Sequence, residues 1–195
     1  MQLIPTVYLI RHATPDWSRT DLVYHLPPGP PLTPQGEGEA RELGQFLWEA
    51  GVATIYASPL ERAYRTAEIA VSVGQAAQVP VTISPSIAEG RPEEKAEDVR
   101  ARLWPTWEHA AALSAQTGPV ALVTHGGPIA VLLKELGLPE KEIDQYKRQF
   151  DRNNPLPPAG VWRATRLPGS PAWSLSLSFV PERHKGAVGV GVSYM

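Results

Sequence analysis

Thr6-Val7-Tyr8-Leu9-Ile10-Arg11-His12-Ala13-Thr14 decides how the rest of this 195-residue chain is read. Its first five residues are rich in β-branched and aromatic side chains and have the make-up of a buried strand. The strand runs directly into an Arg-His pair. In open α/β sheets ligands bind beyond the carboxyl ends of the strands, so His12 is delivered to the place where such folds carry their sites. One such pair proves little, because a histidine after a strand is more often a structural hydrogen-bonder than a catalyst. A second stretch repeats the arrangement. Pro119-Val120-Ala121-Leu122-Val123-Thr124-His125-Gly126-Gly127-Pro128 is an apolar strand that ends in a histidine, followed by two glycines that open a helix at Pro128. Exposed backbone N–H groups at a helix start carry partial positive charge, and glycine lets an oxyanion approach them closely. Two strand-terminal histidines with Arg11 beside one of them make a pocket for a dianion.

Composition bounds the rest. The length allows one well-buried core and no linker divides it, so residues 1–195 read as a single domain. Eighteen Lys and Arg against 20 Asp and Glu leave a formal net charge of −2, so no global field favours nucleic acid or an anionic membrane and any anion must be held locally. The absence of cysteine excludes disulfides, thiolate metal sites and cysteine nucleophiles. The first residues lack the charged and apolar regions of a secretory signal, and no run approaches membrane-spanning length. The expectation is a cytoplasmic protein.

Between the two histidine stretches, the turn-rich segment from Thr14 to Pro31 reads as a long loop over the site. Thr33 is a predicted N-cap with Pro34 at the first helical position; Ala40, Leu43, Leu47 and Trp48 form an apolar stripe, and Gly51 stops the helix. Ala53–Ala57 is a strand. Ser58-Pro59-Leu60-Glu61 reads as a capping box opening a helix that runs to Val71. Arg62 lies in its first turn, where a guanidinium can fork onto two phosphate oxygens, and Arg65 is a solvated arginine paired with Glu61 or Glu68. Val79–Ile83 is a short strand. Residues Pro92 to Gln116 read as helical with Pro105 ending a first segment or kinking it. Trp104 and Trp107 pack in the core or cover the site, and His109 is structural. Pro128–Gly137 and Pro139–Phe150 are helices, Asn153-Asn154-Pro155 is a turn, and Val161–Leu167 with Trp173–Val180 form a hairpin at the sheet edge. The Gly-rich tail from 184 to 195 is expected to be mobile or to lie over the site, and neither His25 nor His184 has a partner that the sequence names.

Four motifs occur in order: Arg11-His12-Ala13, Leu32-Thr33-x-x-Gly36, Ser58-Pro59-Leu60-x-Arg62-Ala63-x-x-Thr66-Ala67-Glu68, and Thr124-His125-Gly126-Gly127. Over about the first two-thirds of the chain, ending near Gly137, they resemble the histidine phosphatase superfamily, the phosphoglycerate-mutase-like proteins. The resemblance implies an α/β fold, a three-layer sandwich with a mostly parallel central sheet and helices on both faces. It implies a metal-independent enzyme without cofactor that acts on a small phosphomonoester, either a phosphatase or, as the alternative, a mutase-type phosphotransferase (an isomerase). The oligomeric state stays open, a dimer included. In the family a carboxylate after the third strand gives and takes the proton, and Glu89 fits that place. The chain departs from the family's usual continuation at Gly90-Arg91-Pro92, so Glu93 and Glu94 are rivals whose plain role is to favour the next helix start. Ala13 stands where glycine is common, and no asparagine follows soon after Thr14.

The constellation suits phosphoryl transfer through a phosphohistidine. His12 is the candidate nucleophile, its tautomer fixed by a carbonyl bonded to its other N–H. Arg11, Arg62, His125 and the backbone at Gly126 neutralise the phosphoryl oxygens, and Glu89 serves as acid and then base, helped by a pKa raised by partial burial. Only 35 residues separate Glu89 from His125, whereas family mutases carry a larger insertion there, which favours a phosphatase with an open site. Two other classes compete: a phosphate-binding module without turnover, and a metallohydrolase with His12, His125 and Glu89 as ligands, which two neighbouring arginines disfavour.

Overall fold

The computed structural model describes residues 3–73, 79–150, 153–166 and 169–187. The opening strand is β1 (Thr6–Arg11), and all six of its residues are buried. They alternate: Val7 and Leu9 enter one apolar cluster, Tyr8 and Ile10 another on the opposite face. A strand buried on both faces carries a continuous apolar run rather than an alternating one, and that is the pattern of this stretch. After β1 the chain forms α1 (Pro34–Glu49), β2 (Thr54–Ala57), α2 (Glu61–Val71), β3 (Val81–Ile83), a 3-10 turn (Pro85–Ile87), α3 (Ala96–Thr117), β4 (Val120–Thr124), α4 (Gly126–Glu135), α5 (Glu140–Gln149), β5 (Val161–Thr165), β6 (Ser174–Phe179) and a second 3-10 turn (Glu182–Ala187).

The six described strands form one sheet in the order β3-β2-β4-β1-β5-β6. The first four in that order are parallel, and the β5–β6 hairpin adds antiparallel to β1. On one face Ala40, Leu43 and Leu47 of α1 and Ala63, Ala67 and Ala70 of α2 pack against Tyr8, Ile10, Ala121 and Val123. On the other, Leu103 and Trp107 of α3, Ile129, Leu132 and Leu133 of α4 and Ile143 of α5 pack against Val7, Leu9, Val120 and Leu122. The result is the expected three-layer α/β sandwich. Each large apolar side chain so buried contributes roughly 1.5–3 kcal/mol relative to exposure.

Several local expectations need correction. Ser58 does not cap α2: that helix starts at Glu61 behind Leu60 with no side-chain cap, and the Ser58 hydroxyl turns to His125 instead. Pro105 neither ends nor divides α3, which continues to Thr117; the proline faces solvent while Leu103, Trp107 and Ala110 on the opposite side hold the helix to the core. The helix begins at Ala96 rather than Pro92, β3 begins at Val81 rather than Val79, and α4 begins at Gly126 rather than Pro128. Trp48 is 43% exposed and falls outside the buried stripe of α1. Other readings hold. Thr33 Oγ1 accepts from Gly36 N–H at 3.0 Å as the N-cap, Gly51 follows α1 with φ +65°, and Arg65 pairs with Glu68 at 3.2 Å. Trp107 packs in the core, and His109 Nε2 lies 2.9 Å from the Tyr56 hydroxyl. Leu167 of the hairpin and residues 188–195 of the tail lie outside the described residues. No helix among the described residues is long and apolar enough to cross a membrane.

Candidate active site

Register brings the two histidines together. β1 and β4 are parallel neighbours with Arg11 opposite Thr124, so the next residues, His12 and His125, leave the sheet side by side, and their ring centroids are 5.1 Å apart. The His12 N–H donates to Thr124 O at 2.9 Å, which extends the ladder by one rung. β2 ends level with them, Ala57 opposite Val123, and delivers Ser58 and then α2 with Arg62. The segment after β3 brings Glu89. Thr124 Oγ1 anchors it by donating to Ile87 O at 2.6 Å. Arg11, His12, Arg62 and His125 are all buried. The cavity of about 480 Å³ above them is lined by Arg11, His12, Glu89 and Gly126, by Trp17 and Tyr24 of the long loop, and by Asn154.

Each imidazole is held in one orientation. His12 Nδ1 lies 2.7 Å from Ala13 O, so Nδ1 carries the proton and Nε2 keeps its lone pair; the Tyr24 hydroxyl is 3.4 Å from that Nε2. His125 Nε2 lies 2.8 Å from Ser58 Oγ. Ser58 Oγ already accepts from Leu60 N–H at 3.3 Å, and it can donate its own proton to His125 Nε2. That assignment leaves the proton on His125 Nδ1, a buried atom without a hydrogen-bond partner among the described residues, 3.7 Å from Glu89 Oε2.

Arg62 donates from Nη1 to Tyr24 O at 2.8 Å and lies over the Tyr24 ring at 3.8 Å, while Trp17 stacks on the ring at a centroid distance of 4.9 Å. Its Nε and Nη2 are buried without hydrogen-bond partners among the described residues, and Nη2 stands 4.0 Å from Glu89 Oε2. Buried donors left unpaired cost free energy, and Arg62 Nη2 and His125 Nδ1 cluster beside the cavity-lining Glu89, an arrangement that suits an anion. Arg11 Nη1 donates to Leu156 O at 3.1 Å.

Electrostatics follow from burial and these two guanidinium groups. Burial and the charges of Arg62 and Arg11 hold the pKa of His12 well below the usual imidazole value. Burial first and Arg62 next do the same for His125. Burial raises the pKa of Glu89, against the opposing effects of the Gly90 N–H and the charges of Arg62, Arg11 and Arg102. The site therefore presents two cations, two neutral imidazoles and a carboxyl that holds its proton more firmly than usual. This charge set matches a dianion with a poor leaving group.

The structure brings together His12, Glu89, His125, Arg11, Arg62 and Gly126, the six residues singled out in the sequence. It keeps the rival carboxylates apart from them: Glu93 is exposed and outside the cavity lining, and Glu94 pairs with Arg102 at 2.7 Å. Gly126 and Gly127 open α4 toward the cavity. Gly126 also serves packing, since the Asn154 amide occupies the space that a Cβ at 126 would need. Sequence reasoning missed Ser58, Tyr24 and Asn154 as neighbours of the site. The Asn153-Asn154-Pro155 turn and the long loop were visible, but nothing in them says which residue points inward. It also missed Glu39, whose buried carboxylate accepts from the backbone N–H and hydroxyl of Thr14, each at 2.8 Å, and lies 2.9 Å from His184 Nε2. Among the described residues no group of three or more His, Cys, Asp or Glu could hold a metal ion.

Comparison with known proteins agrees with this geometry. The family model of the histidine phosphatase superfamily (branch 1) matches residues 7–91 and 84–154. The chain is similar to the uncharacterized phosphatase PhoE of Bacillus subtilis, 29% identical over 169 residues that cover 72% of this chain and 82% of that protein. It is 39% identical over 75 residues to a 2,3-bisphosphoglycerate-dependent phosphoglycerate mutase of Corynebacterium glutamicum, covering 37% of this chain and 30% of the mutase. Among solved structures, a mycobacterial glucosyl-3-phosphoglycerate phosphatase superposes with a TM-score of 0.67 at 22% identity, covering 89% of this chain and 97% of that one. The phosphoglycerate mutase of Bacillus anthracis superposes with a TM-score of 0.69 at 16% identity, covering 90% and 93%. With most of its length matched by the family model and the motif residues gathered around one cavity, the chain belongs to branch 1 of the histidine phosphatase superfamily.

Proposed function

We propose that this protein hydrolyses a small phosphomonoester through a covalent phosphohistidine on Nε2 of His12. The observation that carries the proposal is the His12 ring: Nδ1 bound to Ala13 O, Nε2 bearing its lone pair toward a cavity that the buried Arg11 also lines. The depressed pKa keeps that lone pair available at and below neutral pH. In the first step Nε2 attacks phosphorus, the bond to the ester oxygen breaks, and Glu89 gives its proton to the departing alcohol. Arg11, Arg62, the Nδ1–H of His125 and the N–H of Gly126 receive the charge on the equatorial oxygens, which is where phosphoryl transfer needs stabilisation. Water then attacks the phosphohistidine, Glu89 takes its proton, the N–P bond breaks and phosphate leaves.

Hydrolysis is favoured over mutase chemistry because the chain between Glu89 and β4 holds α3 behind a short turn, and α3 packs into the core instead of over the site. The sequence similarity to the phosphatase PhoE also extends over most of both chains, whereas that to the Corynebacterium glutamicum mutase is confined to 75 residues. The test is phosphate release from 4-nitrophenyl phosphate across pH 4–8, with and without chelator, for the protein beside His12→Ala. Chelator-resistant release that the variant lacks is the expected result; release that survives in His12→Ala overturns the assignment.

A further inference from the structure

One guanidinium holds the segment that carries Glu89. Arg102, on the second turn of α3, donates from Nη1 to Ser86 O at 2.6 Å and to Ala88 O at 2.9 Å, and from Nη2 to Glu89 O at 3.2 Å. Its remaining edge is gripped by Glu94, with Nε to Oε1 at 2.7 Å and Nη2 to Oε2 at 3.0 Å. Glu94 also accepts from Arg91 N–H at 2.9 Å, so the loop on the far side of Glu89 is tied to the same pair. Both side chains are largely shielded, at 23% and 17% exposure. Among the described residues the Glu89 side chain has little else to fix it: Oε1 accepts from its neighbour Gly90 at 3.0 Å, and Oε2 reaches only to 4.0 Å from Arg62 and 3.7 Å from His125.

We infer that the Arg102–Glu94 pair is the positioning device for the proton donor, setting where the Glu89 carboxyl stands relative to the leaving oxygen without touching substrate itself. The inference rests on Glu89 being that donor. Arg suits the task because its planar fork serves three carbonyls and a carboxylate at once, which the three donors of a lysine cannot match in direction. It also gives Glu94, a rival for the acid role on sequence grounds, a different function: orienting the guanidinium that orients the backbone.

A misplaced acid is felt only where the leaving group needs protonation. Burst release of the alcohol in a single turnover should therefore be compared for 4-nitrophenyl phosphate, whose phenolate leaves readily, and phenyl phosphate, whose phenolate does not. The protein would be measured beside Arg102→Gln, Arg102→Lys, Glu94→Gln and Glu89→Gln. General acid catalysis contributes roughly 10²–10⁴ in rate, and partial loss of it should raise the ratio of the two burst rates by about tenfold or more in Arg102→Gln and Glu94→Gln, less in Arg102→Lys, and most in Glu89→Gln. A variant that merely folds less well loses active protein, which lowers both bursts alike and leaves the ratio where it was. An unchanged ratio in the Arg102 and Glu94 variants with a raised ratio in Glu89→Gln overturns the positioning role and leaves Glu89 as the acid. An unchanged ratio in Glu89→Gln as well overturns both.

Discussion

Replacing Arg62 by methionine should separate activity from stability and move the pH profile in a defined direction. Nε and Nη2 of Arg62 are buried and lack hydrogen-bond partners among the described residues. A hydrogen bond to a charged group contributes about 1.5–3 kcal/mol, so two formed with the phosphoryl oxygens give about 3–6 kcal/mol, or roughly 10²–10⁴ in kcat/KM. Stability should change far less. Methionine leaves Tyr24 O without the donor at 2.8 Å, a cost of about 1–3 kcal/mol, but it also relieves the burial of a cation, which costs several kcal/mol when incompletely paired. Arg62 lowers the pKa of both histidines and opposes the rise in that of Glu89. Without it all three rise. The acid limb, set by His12 becoming protonated, and the alkaline limb, set by Glu89 losing its proton, should both shift to higher pH. The assay is kcat/KM for phenyl phosphate, whose leaving oxygen needs the Glu89 proton, over pH 4–9 with a thermal melt of each protein. A loss below tenfold, or a profile that moves to lower pH, refutes the reasoning.

Ser58→Ala should free the His125 ring from its assigned tautomer and cost about three- to tenfold in kcat, the equivalent of one neutral hydrogen bond, with a change in the His125 ring nitrogen shifts by NMR. Gly126→Ala places a methyl where the Asn154 amide sits; KM for the phosphate ester should rise and the protein should lose about 1–3 kcal/mol in urea unfolding, whereas an unaltered KM would contradict the place given to the Gly126 N–H in phosphate binding. The depressed folded-state pKa values of His12 and His125 predict a stability that is full above the unfolded value of 6.5 and falls as pH drops below it, because the unfolded chain then binds protons that the folded one does not. The slope should approach about 1.4 kcal/mol per pH unit for each histidine, and His125→Asn should reduce it when unfolding is followed between pH 7 and 5.

What was legible in the sequence was what strands and helix starts dictate locally. β1 and β4 are buried on both faces and therefore read as unbroken apolar runs, and each ends where a histidine begins, so pattern alone places the two histidines at one end of the sheet. Arg62 was legible because it sits in the first turn of the helix that follows a third parallel strand. Ser58 was misread for the same reason: a serine followed by a proline and, three residues on, a glutamate has the local pattern of a cap, and only the register of β2 against β4 brings His125 Nε2 within its reach. Tyr24, Asn154 and Arg102 act through contacts 12 to 38 residues away or with a distant helix start, which local patterning does not encode. Pro105 illustrates a propensity overruled by packing, since the helix face opposite it is anchored by Leu103 and Trp107.

The central claim is that the phosphoryl group passes through His12. Mixing the protein with a labelled phosphomonoester, quenching in base within one turnover and locating the label by peptide mass spectrometry tests it most directly. The account predicts an acid-labile, base-stable phosphoramidate on His12, absent from His12→Ala and longer-lived in Glu89→Gln, where the water-activating base is missing. Label on any other side chain, or turnover in which no labelled protein forms, would contradict it.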